Sequence, residues 1–224
     1  MKKARLLVFE SGGVAPEIGG SEFENLVHAS RKGELNAEIV GVVSNHANGG
    51  VRARAGRLEV PFFHFASPWN ATRYQEVAMR SDANFFALSG WDKYVVGLDL
   101  DTCFSSKTVF NIHHGPLPDS GGQGMYGHRV HRRVIATFRR GEIRDTAVTM
   151  QFVTANGYNC GPVFFRHRIP ILEREMPEAL AKRVGEWGHR LQPQVTDWVV
   201  NGLVRWDGVN WDSLRIPETI RSGC

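Results

Sequence analysis

The apolar run at residues 37–44 constrains the fold more than any other feature of the chain. Its sequence, Ala-Glu-Ile-Val-Gly-Val-Val-Ser, stays apolar at its centre and does not alternate apolar with polar residues. A strand with one face in water alternates, whereas a strand covered on both faces has a continuous apolar run. The run therefore predicts a central strand in a sheet that carries helices on both faces.

Extended and helical patterns alternate along the rest of the chain, which is typical of an α/β fold with a mainly parallel central sheet flanked by helices. The predicted strands are Arg5–Phe9, Ala37–Ser44, Pro61–Phe65, Asn84–Leu88, Thr108–Ile112, Ala147–Val153 and Val163–Ile169. The predicted helices are Ser21–Arg31, Arg52–Leu58, Thr72–Arg80, Arg129–Arg139 and Pro177–Asn201.

Local signals refine the ends of two helices and the domain organisation. Ser21 is expected to cap the first helix, because Glu24 follows it at the spacing of a capping box. Pro193 marks a point at which the long last helix can break. No shift in composition marks a linker, so we expect residues 1–224 to form a single domain whose short tail, Leu203–Cys224, folds back onto the body.

Composition argues against several classes of protein. No apolar run reaches about 18 residues, and the apolar stretch at residues 6–9 is too short for a signal peptide, so we expect a cytoplasmic protein. Cys103, Cys160 and Cys224 fit neither a disulfide framework nor a paired-cysteine zinc site. The net charge of +4 is modest and no RNA-binding signature is present. We expect small-molecule partners, no nucleic acid or membrane, and a monomer or homodimer.

A glycine-bearing loop, residues 11–21, joins the first strand to the first helix. A loop of this type can present backbone N–H groups to an anion at a helix N-terminus. Its spacing matches neither the P-loop nor the dinucleotide-binding fingerprint. From these residues alone, an anion site and a flexible connection remain equally open.

The run Asn111-Ile-His113-His114-Gly-Pro-Leu-Pro follows a predicted strand. Asn111 and His113 lie two residues apart, so their side chains point the same way from an extended chain. An amide can hold a carbonyl oxygen that gains negative charge, and an imidazole can transfer a proton, a pairing that suits acyl chemistry. A strand-end loop with two solvated histidines is the alternative that spacing leaves open.

Four histidines, at positions 113, 114, 128 and 131, raise the question of a metal site. Only His128 and His131 share helical spacing, and no carboxylate or cysteine accompanies them in a ligand pattern. No Gly-x-Ser-x-Gly motif indicates an activated serine, and Cys160 is interpreted as structural. We therefore expect no metal.

Taken together, these segments resemble the folate-dependent formyltransferases. Asn111-Ile-His113 with Leu117-Pro118 resembles the active-site strand of that family, and the glycine loop is similar to its phosphate loop. The resemblance implies an α/β fold of the formyltransferase-like, Rossmann type. Further similar segments follow in order, so that the likeness runs from residue 5 to about residue 205: Val42–Asn45, Leu88–Trp91, Gly124–Gly127, Val130-His131, Phe152–Thr154 and Gly161–Val163.

The resemblance implies an enzyme that transfers a formyl group from 10-formyltetrahydrofolate, as co-substrate, to the amine of glycinamide ribonucleotide in purine biosynthesis. Asn111 would bind the formyl oxygen and His113 would handle the proton, with Asn159 as the third catalytic residue. The implied phosphate-binding residues are Gly12, Gly13, Gly19, Gly20 and Ser21. The implied folate-binding residues are Trp91, Lys93, Tyr94, Val95 and Thr154.

Two departures from the family's pattern concern catalysis. Asn159 stands where the family has an aspartate, and an amide cannot act as a base. Gln151 stands where the enzymes that use glycinamide ribonucleotide have a histidine. The carboxylates that lie near predicted strand ends and can supply the missing charge are Glu10, Asp119 and Asp145.

Two further departures concern the acceptor. Glu22 replaces an asparagine beside the phosphate, and Gly188 replaces a substrate-contacting glutamate, which Glu186 would have to replace from half a turn away. Two alternatives therefore stay open. One is a formyltransferase with another amine acceptor, such as an amino sugar, and the other is a weakly active or inactive homologue that binds folate or a nucleotide.

Overall fold

The structure is a computed structural model that describes residues 3–218, and within this range seven strands form one sheet flanked by five helices. Each predicted strand and helix is present, with ends that differ by at most two residues. The strands are β1 (Ala4–Phe9), β2 (Ala37–Ser44), β3 (Phe62–His64), β4 (Phe85–Ser89), β5 (Val109–His113), β6 (Asp145–Phe152) and β7 (Val163–Pro170). The helices are α1 (Ser21–Lys32), α2 (Gly50–Arg57), α3 (Ala71–Ser81), α4 (His128–Arg139) and α5 (Pro177–Val200).

The sheet has the strand order β3-β2-β1-β4-β5-β6-β7. The pairs from β3 to β5 are parallel, whereas β6 runs antiparallel to both β5 and β7. The expected α/β fold with a mainly parallel sheet is therefore confirmed.

Hydrophobic cores cover both faces of this sheet. Leu6 and Val8 of β1 pack into one core, while the alternate residues Leu7 and Phe9 pack into the other, and all four are fully buried. Side chains of a strand alternate between faces, so a strand buried on both faces needs apolar residues at successive positions. The continuous apolar run of β2 has the same cause.

The predicted cap of α1 is wrong. Gly20 is the N-cap residue, and the Ser21 hydroxyl donates to the Glu22 carboxylate at 3.0 Å instead of capping the helix. The Glu10 carboxylate, at the end of β1, accepts hydrogen bonds from the backbone N–H of Gly20 and, at 3.0 Å, from that of Phe23. A buried side chain directly after the preceding strand thus accepts from two of the first N–H groups of the helix.

Helix α5 continues through Pro193, so the break considered at that residue does not occur. Proline lacks an N–H and leaves the carbonyl four residues earlier without its helical partner. That carbonyl belongs to His189, and the Asn25 side chain of α1 donates to it at 2.6 Å. Val195 and Val199, beyond the proline, are buried in the core, so packing holds the second half of the helix in line.

The described part of the tail folds back onto the body, as expected. Arg205 and Arg215 form an antiparallel bridge, and buried Trp206 packs against Phe152 with ring centroids 5.9 Å apart. Cys224 and the rest of 219–224 lie outside the described residues. Within residues 3–218, no helix has both the length and the apolar character that crossing a membrane requires. The assignment of residues 1–224 to a single domain stays a prediction.

Candidate active site

A cleft of about 390 Å³ lies at the carboxyl ends of β1, β4 and β5. Side chains at the ends of neighbouring parallel strands meet at one edge of a sheet, which is where α/β folds bind ligands. All of the predicted catalytic and folate-binding residues line this cleft, together with one of the predicted phosphate-binding glycines: Asn111, His113, Asn159, Trp91, Lys93, Tyr94, Val95, Thr154 and Gly12.

His113 is buried at the end of β5, and its Nε2 lies 3.0 Å from the backbone carbonyl oxygen of Ser120. Burial lowers the pKa of His113 to about 4, and the neighbouring His114 lowers it as well, while the Ser120 carbonyl acts in the opposite sense. The ring is therefore neutral at neutral pH. A carbonyl oxygen only accepts, so the proton sits on Nε2 and the lone pair on Nδ1.

The loop after β5 is held by two contacts from the antiparallel strands. The Thr149 hydroxyl of β6 donates to the Gly115 carbonyl at 2.8 Å, and the Arg166 guanidinium of β7 donates to the Leu117 carbonyl. These bonds fix the turn that brings the Ser120 carbonyl back onto His113.

Three side-chain amides form a cluster beside His113. Gln151 of β6 lies opposite Asn111 of β5 in the antiparallel register. The side-chain amides of Asn111 and Gln151 lie 3.2 and 3.0 Å from the side-chain amide of Asn159, within hydrogen-bond distance. Asn159 has a left-handed backbone with φ 57°, which asparagine and aspartate tolerate better than most residues. Asn159 therefore lies beside Asn111, and its catalytic role stays a prediction.

Among the described residues, no hydrogen bond or ion pair joins His113 to a carboxylate. Asp145 Oδ2 lies 3.7 Å from Arg168 Nη1, and the Glu10 side chain accepts from the N-terminus of α1. The charge that the family aspartate would supply is thus not replaced by Glu10 or Asp145.

Close backbone packing requires glycine at several positions of the glycine loop. Gly12 and Gly19 both have positive φ, of 62° and 84°, and a Cβ on Gly19 would lie 2.2 Å from Gly12 Cα. A Cβ on Gly50, at the start of α2, would lie 2.5 Å from the Ile18 carbonyl oxygen. Gly12 lines the cleft, whereas the other predicted phosphate-binding residues, Gly13, Gly19, Gly20 and Ser21, are not part of its wall. Phosphate binding by this loop stays a prediction.

Three carboxylates line the cleft: Asp92, which hydrogen-bonds to Ser11 of the glycine loop, and the neighbouring pair Glu10 and Glu22. Burial, and then the negative charge of Glu22, raise the pKa of Glu10 well above its ordinary value. Burial would raise the pKa of Glu22 too, but His114 and His189 outweigh burial and lower it. The pKa values of the two carboxyl groups thus shift in opposite directions, and Glu22 Oε1 lies 4.0 Å from His189 Nε2.

Gly188 provides the space that His114 occupies. A Cβ at Gly188 would lie 2.4 Å from His114 Nε2, so the imidazole rests directly on the backbone of α5. Glu186, which would have to replace the family glutamate from half a turn away, is exposed and does not line the cleft. The carboxylate at this end comes from α1, as Glu22.

A further part of the cleft wall is built from the segment after β4, which hydrogen-bonds to Ser11 of the glycine loop, and from the loop at residues 153–161. Trp91 is buried, and its Nε1 donates to the Tyr74 hydroxyl at 2.9 Å. The Tyr94 hydroxyl donates to the Ala155 carbonyl at 2.6 Å, and its ring lies 4.9 Å from that of Tyr158. These contacts join the two walls.

Lys93 is held by two neighbours. Its Nζ lies 2.9 Å from Asp92 Oδ1 and 4.7 Å from the centroid of the Trp69 ring. Within residues 3–218, no group of three or more His, Cys, Asp or Glu side chains is arranged to hold a metal ion.

A model of the formyl transferase family matches residues 5–196. The chain belongs to the formyl transferase family. It is 29% identical to a chloroplastic phosphoribosylglycinamide formyltransferase from Vigna unguiculata, over 93% of this chain and 65% of that protein. The chain thus spans slightly less than two thirds of that relative's length.

Two solved structures resemble this formyltransferase-family chain. Glycinamide ribonucleotide transformylase 1 from Geobacillus kaustophilus is 27% identical, with a TM-score of 0.72 over 88% of this chain and 99% of that one. The corresponding enzyme from Symbiobacterium toebii is 23% identical and shares the fold, with a TM-score of 0.79 over 96% and 95% of the two chains. The family expected from the sequence is confirmed.

The site of this family member also contains residues whose position sequence reasoning missed. The sequence indicates Glu22 only as a negative charge that would oppose a phosphate, and Glu10 only as a carboxylate near a strand end. The signal for Glu10 is its place directly after β1, where side chains reach the cleft. Tyr158 had no comparable signal, because its position depends on the path of the loop.

Proposed function

We propose that the chain transfers the formyl group of 10-formyltetrahydrofolate to the amine of glycinamide ribonucleotide, a step of purine biosynthesis. The observation that carries the proposal is the neutral His113 beside Asn111 in one cleft. The names of the similar proteins, phosphoribosylglycinamide formyltransferase and glycinamide ribonucleotide transformylase, support this choice of acceptor.

The proposed chemistry uses the acceptor amine, the Asn111 amide and the His113 imidazole. The acceptor amine attacks the formyl carbon, and the oxygen gains negative charge, which the Asn111 amide N–H stabilises by a hydrogen bond. Neutral His113 accepts the amine proton on Nδ1 and delivers it to N10 of the folate as the carbon–N10 bond breaks. One proton moves from one nitrogen to the other, so the step balances without a covalent enzyme intermediate.

The two ends of the cleft suit the two substrates. We assign the folate to the end formed by Trp91, Lys93, Tyr94, Val95 and Thr154, where apolar and aromatic groups can cover a planar ring system. We assign the acceptor to the end at Glu22 and Gly12, beside the glycine loop. This assignment also implies small-molecule substrates. We propose with it that the protein is cytoplasmic, is a monomer or a homodimer, and has no nucleic acid or membrane partner.

A second candidate is formyl transfer to a different amine, such as an amino sugar. The observation that favours it is Glu10, whose carboxylate already accepts the N–H groups of Gly20 and Phe23. A phosphate at the N-terminus of α1 would need those donors, and the charged Glu22 would repel it.

Formyl loss from 10-formyltetrahydrofolate, followed by absorbance, tests both candidates. The purified protein is incubated without acceptor, with glycinamide ribonucleotide, or with a nucleotide-linked amino sugar. We expect loss that depends on glycinamide ribonucleotide. Loss that depends only on the amino sugar would establish the second candidate, and no loss with any acceptor would overturn the proposal of an active transferase.

A further inference from the structure

One row of side chains crosses β5, β6 and β7 on the same face of the sheet. His113 lies opposite Thr149 in the register of β5 and β6, and Thr149 lies opposite Arg166 in the register of β6 and β7. Side chains of directly opposite residues point to the same face of a sheet. His113 thus shares its face with a threonine and an arginine from the two neighbouring strands.

The backbone of the loop after β5, residues 114–121, packs on this row. The Thr149 hydroxyl donates to the Gly115 carbonyl at 2.8 Å, and the Arg166 guanidinium donates through Nη2 to the Leu117 carbonyl. A Cβ at Gly115 would lie 3.0 Å from His113 Nε2, so the loop backbone rests directly against the edge of the imidazole. The side chains of β6 and β7 therefore hold the backbone that borders the ring.

A turn within this loop brings the Ser120 carbonyl to the imidazole. The Ser120 N–H donates to the carbonyl of Pro116, the residue before Leu117, at 2.8 Å. The Ser120 carbonyl oxygen lies 3.0 Å from His113 Nε2. Arg166 binds the loop directly beside the bond that closes the turn, and a hydrogen bond from a charged donor is stronger than one between neutral groups.

We propose that Arg166 is a positioning residue for His113: by holding the loop after β5, it keeps the ring proton on Nε2 and the lone pair on Nδ1. The inference rests on the proposed function, in which Nδ1 accepts the proton of the amine. Without the Arg166 bond the turn is free to move, and Nε2 loses its fixed acceptor. The ring can then carry its proton on Nδ1, where no lone pair is left to act as a base.

Three variants of β7 separate this role from a general effect of charge. Arg166→Met removes the guanidinium and keeps an unbranched apolar stem, whereas Arg166→Lys keeps a positively charged donor. Arg168→Met is the matched control, because Arg168 lies on the same face two residues along β7, is exposed, and has its Nη1 3.7 Å from Asp145 Oδ2. Thermal melting checks that each variant is folded, and Arg166→Gln, which stays polar without the charge, replaces Arg166→Met if the latter is unfolded.

The direct readout is the exchange of the His113 ring N–H with solvent, measured by NMR on protein with isotopically labelled histidine and without ligand. The signal is identified by its absence in His113→Asn. We expect the wild type to have a protonated Nε2 and an unprotonated Nδ1. Arg166→Met should exchange the ring proton about ten- to hundredfold faster, the effect of losing one hydrogen bond to a charged group. Arg166→Lys should recover most of the protection, and Arg168→Met should exchange like the wild type.

Steady-state kinetics with 10-formyltetrahydrofolate and glycinamide ribonucleotide gives the second readout. The turnover number of Arg166→Met should fall by about tenfold or more, because a misplaced catalytic group slows the chemical step. The KM for the folate should stay unchanged, since no contact to the substrate is removed. Arg166→Lys should restore most of the turnover, and Arg168→Met should keep all of it.

Unchanged exchange of the His113 N–H in the folded Arg166 variant, or faster exchange with wild-type turnover, would overturn the positioning role. Equal effects in Arg168→Met would overturn it as well. If the wild type transfers no formyl group to glycinamide ribonucleotide while the Arg166 variant still exchanges faster, the proposed function fails and the control of the His113 proton by Arg166 stands.

Discussion

Acid should destabilise this protein strongly between pH 7 and pH 5, because two of its buried histidines resist protonation. Burial lowers the pKa of both His113 and His131 to about 4, against an ordinary value of about 6.5. In the unfolded chain both rings become charged near pH 6.5, while in the folded chain they stay neutral. A depressed pKa of this kind gives stability that is present above about pH 6.5 and is lost as the pH falls toward 4.

The size of the effect follows from the two pKa values. With a folded pKa of about 4 and an unfolded pKa of about 6.5, each ring should lower the free energy of unfolding by about 2 kcal/mol between pH 7 and pH 5. Both rings are less than a tenth exposed, so solvent screening reduces this figure little. Together they should remove about 4 kcal/mol, a large part of the stability of an ordinary domain.

Urea unfolding of the wild type and of His113→Asn at pH 7, 6 and 5 isolates one ring. Subtracting the pH dependence of the variant's unfolding free energy from that of the wild type removes the contribution of the carboxylates, because these titrate in both proteins. We expect the variant to lose about 2 kcal/mol of pH dependence, and His64→Asn, at an exposed position of β3, is the matched control. A pH dependence that His113→Asn leaves unchanged would refute the neutral, buried histidine on which the proposed proton transfer depends.

Three further predictions concern the acceptor end of the cleft. Glu22→Gln should lower the KM for glycinamide ribonucleotide about tenfold in steady-state kinetics, because a charge that repels its phosphate is removed, and should leave the KM for the folate unchanged. Gly188→Ala should lower the free energy of unfolding in urea by about 1–3 kcal/mol, because the added methyl group overpacks against His114. The double variant His114→Ala/Gly188→Ala should regain that stability. Glu10→Ala should lower the unfolding free energy by about 1–2 kcal/mol through loss of the α1 cap, whereas exposed Glu17→Ala should not.

The elements of this fold could be predicted because local patterns reflect burial. Val42 and Val43 of β2 pack into opposite cores, and the sequence records this as a continuous apolar run. The pair Asn111 and His113 could be placed for the same reason, since their spacing on a strand end fixes their common direction.

The features that the sequence does not predict depend on contacts between residues that are distant in the chain. The true cap of α1 is Glu10, which lies on another element, so the local signal at Ser21 was misleading. Pro193 does not break α5, because Asn25 satisfies the carbonyl that the proline leaves free. The position of Glu22 beside His114 follows from the packing of that ring on α5, and no local pattern contains this information.

The central claim is that Asn111 and His113 perform formyl transfer in one cleft. Turnover of 10-formyltetrahydrofolate with glycinamide ribonucleotide, measured for Asn111→Ala, His113→Ala and the exposed control His128→Ala, tests it most directly. The account predicts losses in the turnover number on the order of a hundredfold or more for the first two variants, with affinity for the formyl-free folate analogue unchanged and His128→Ala fully active. Near wild-type turnover in Asn111→Ala or His113→Ala would contradict the account.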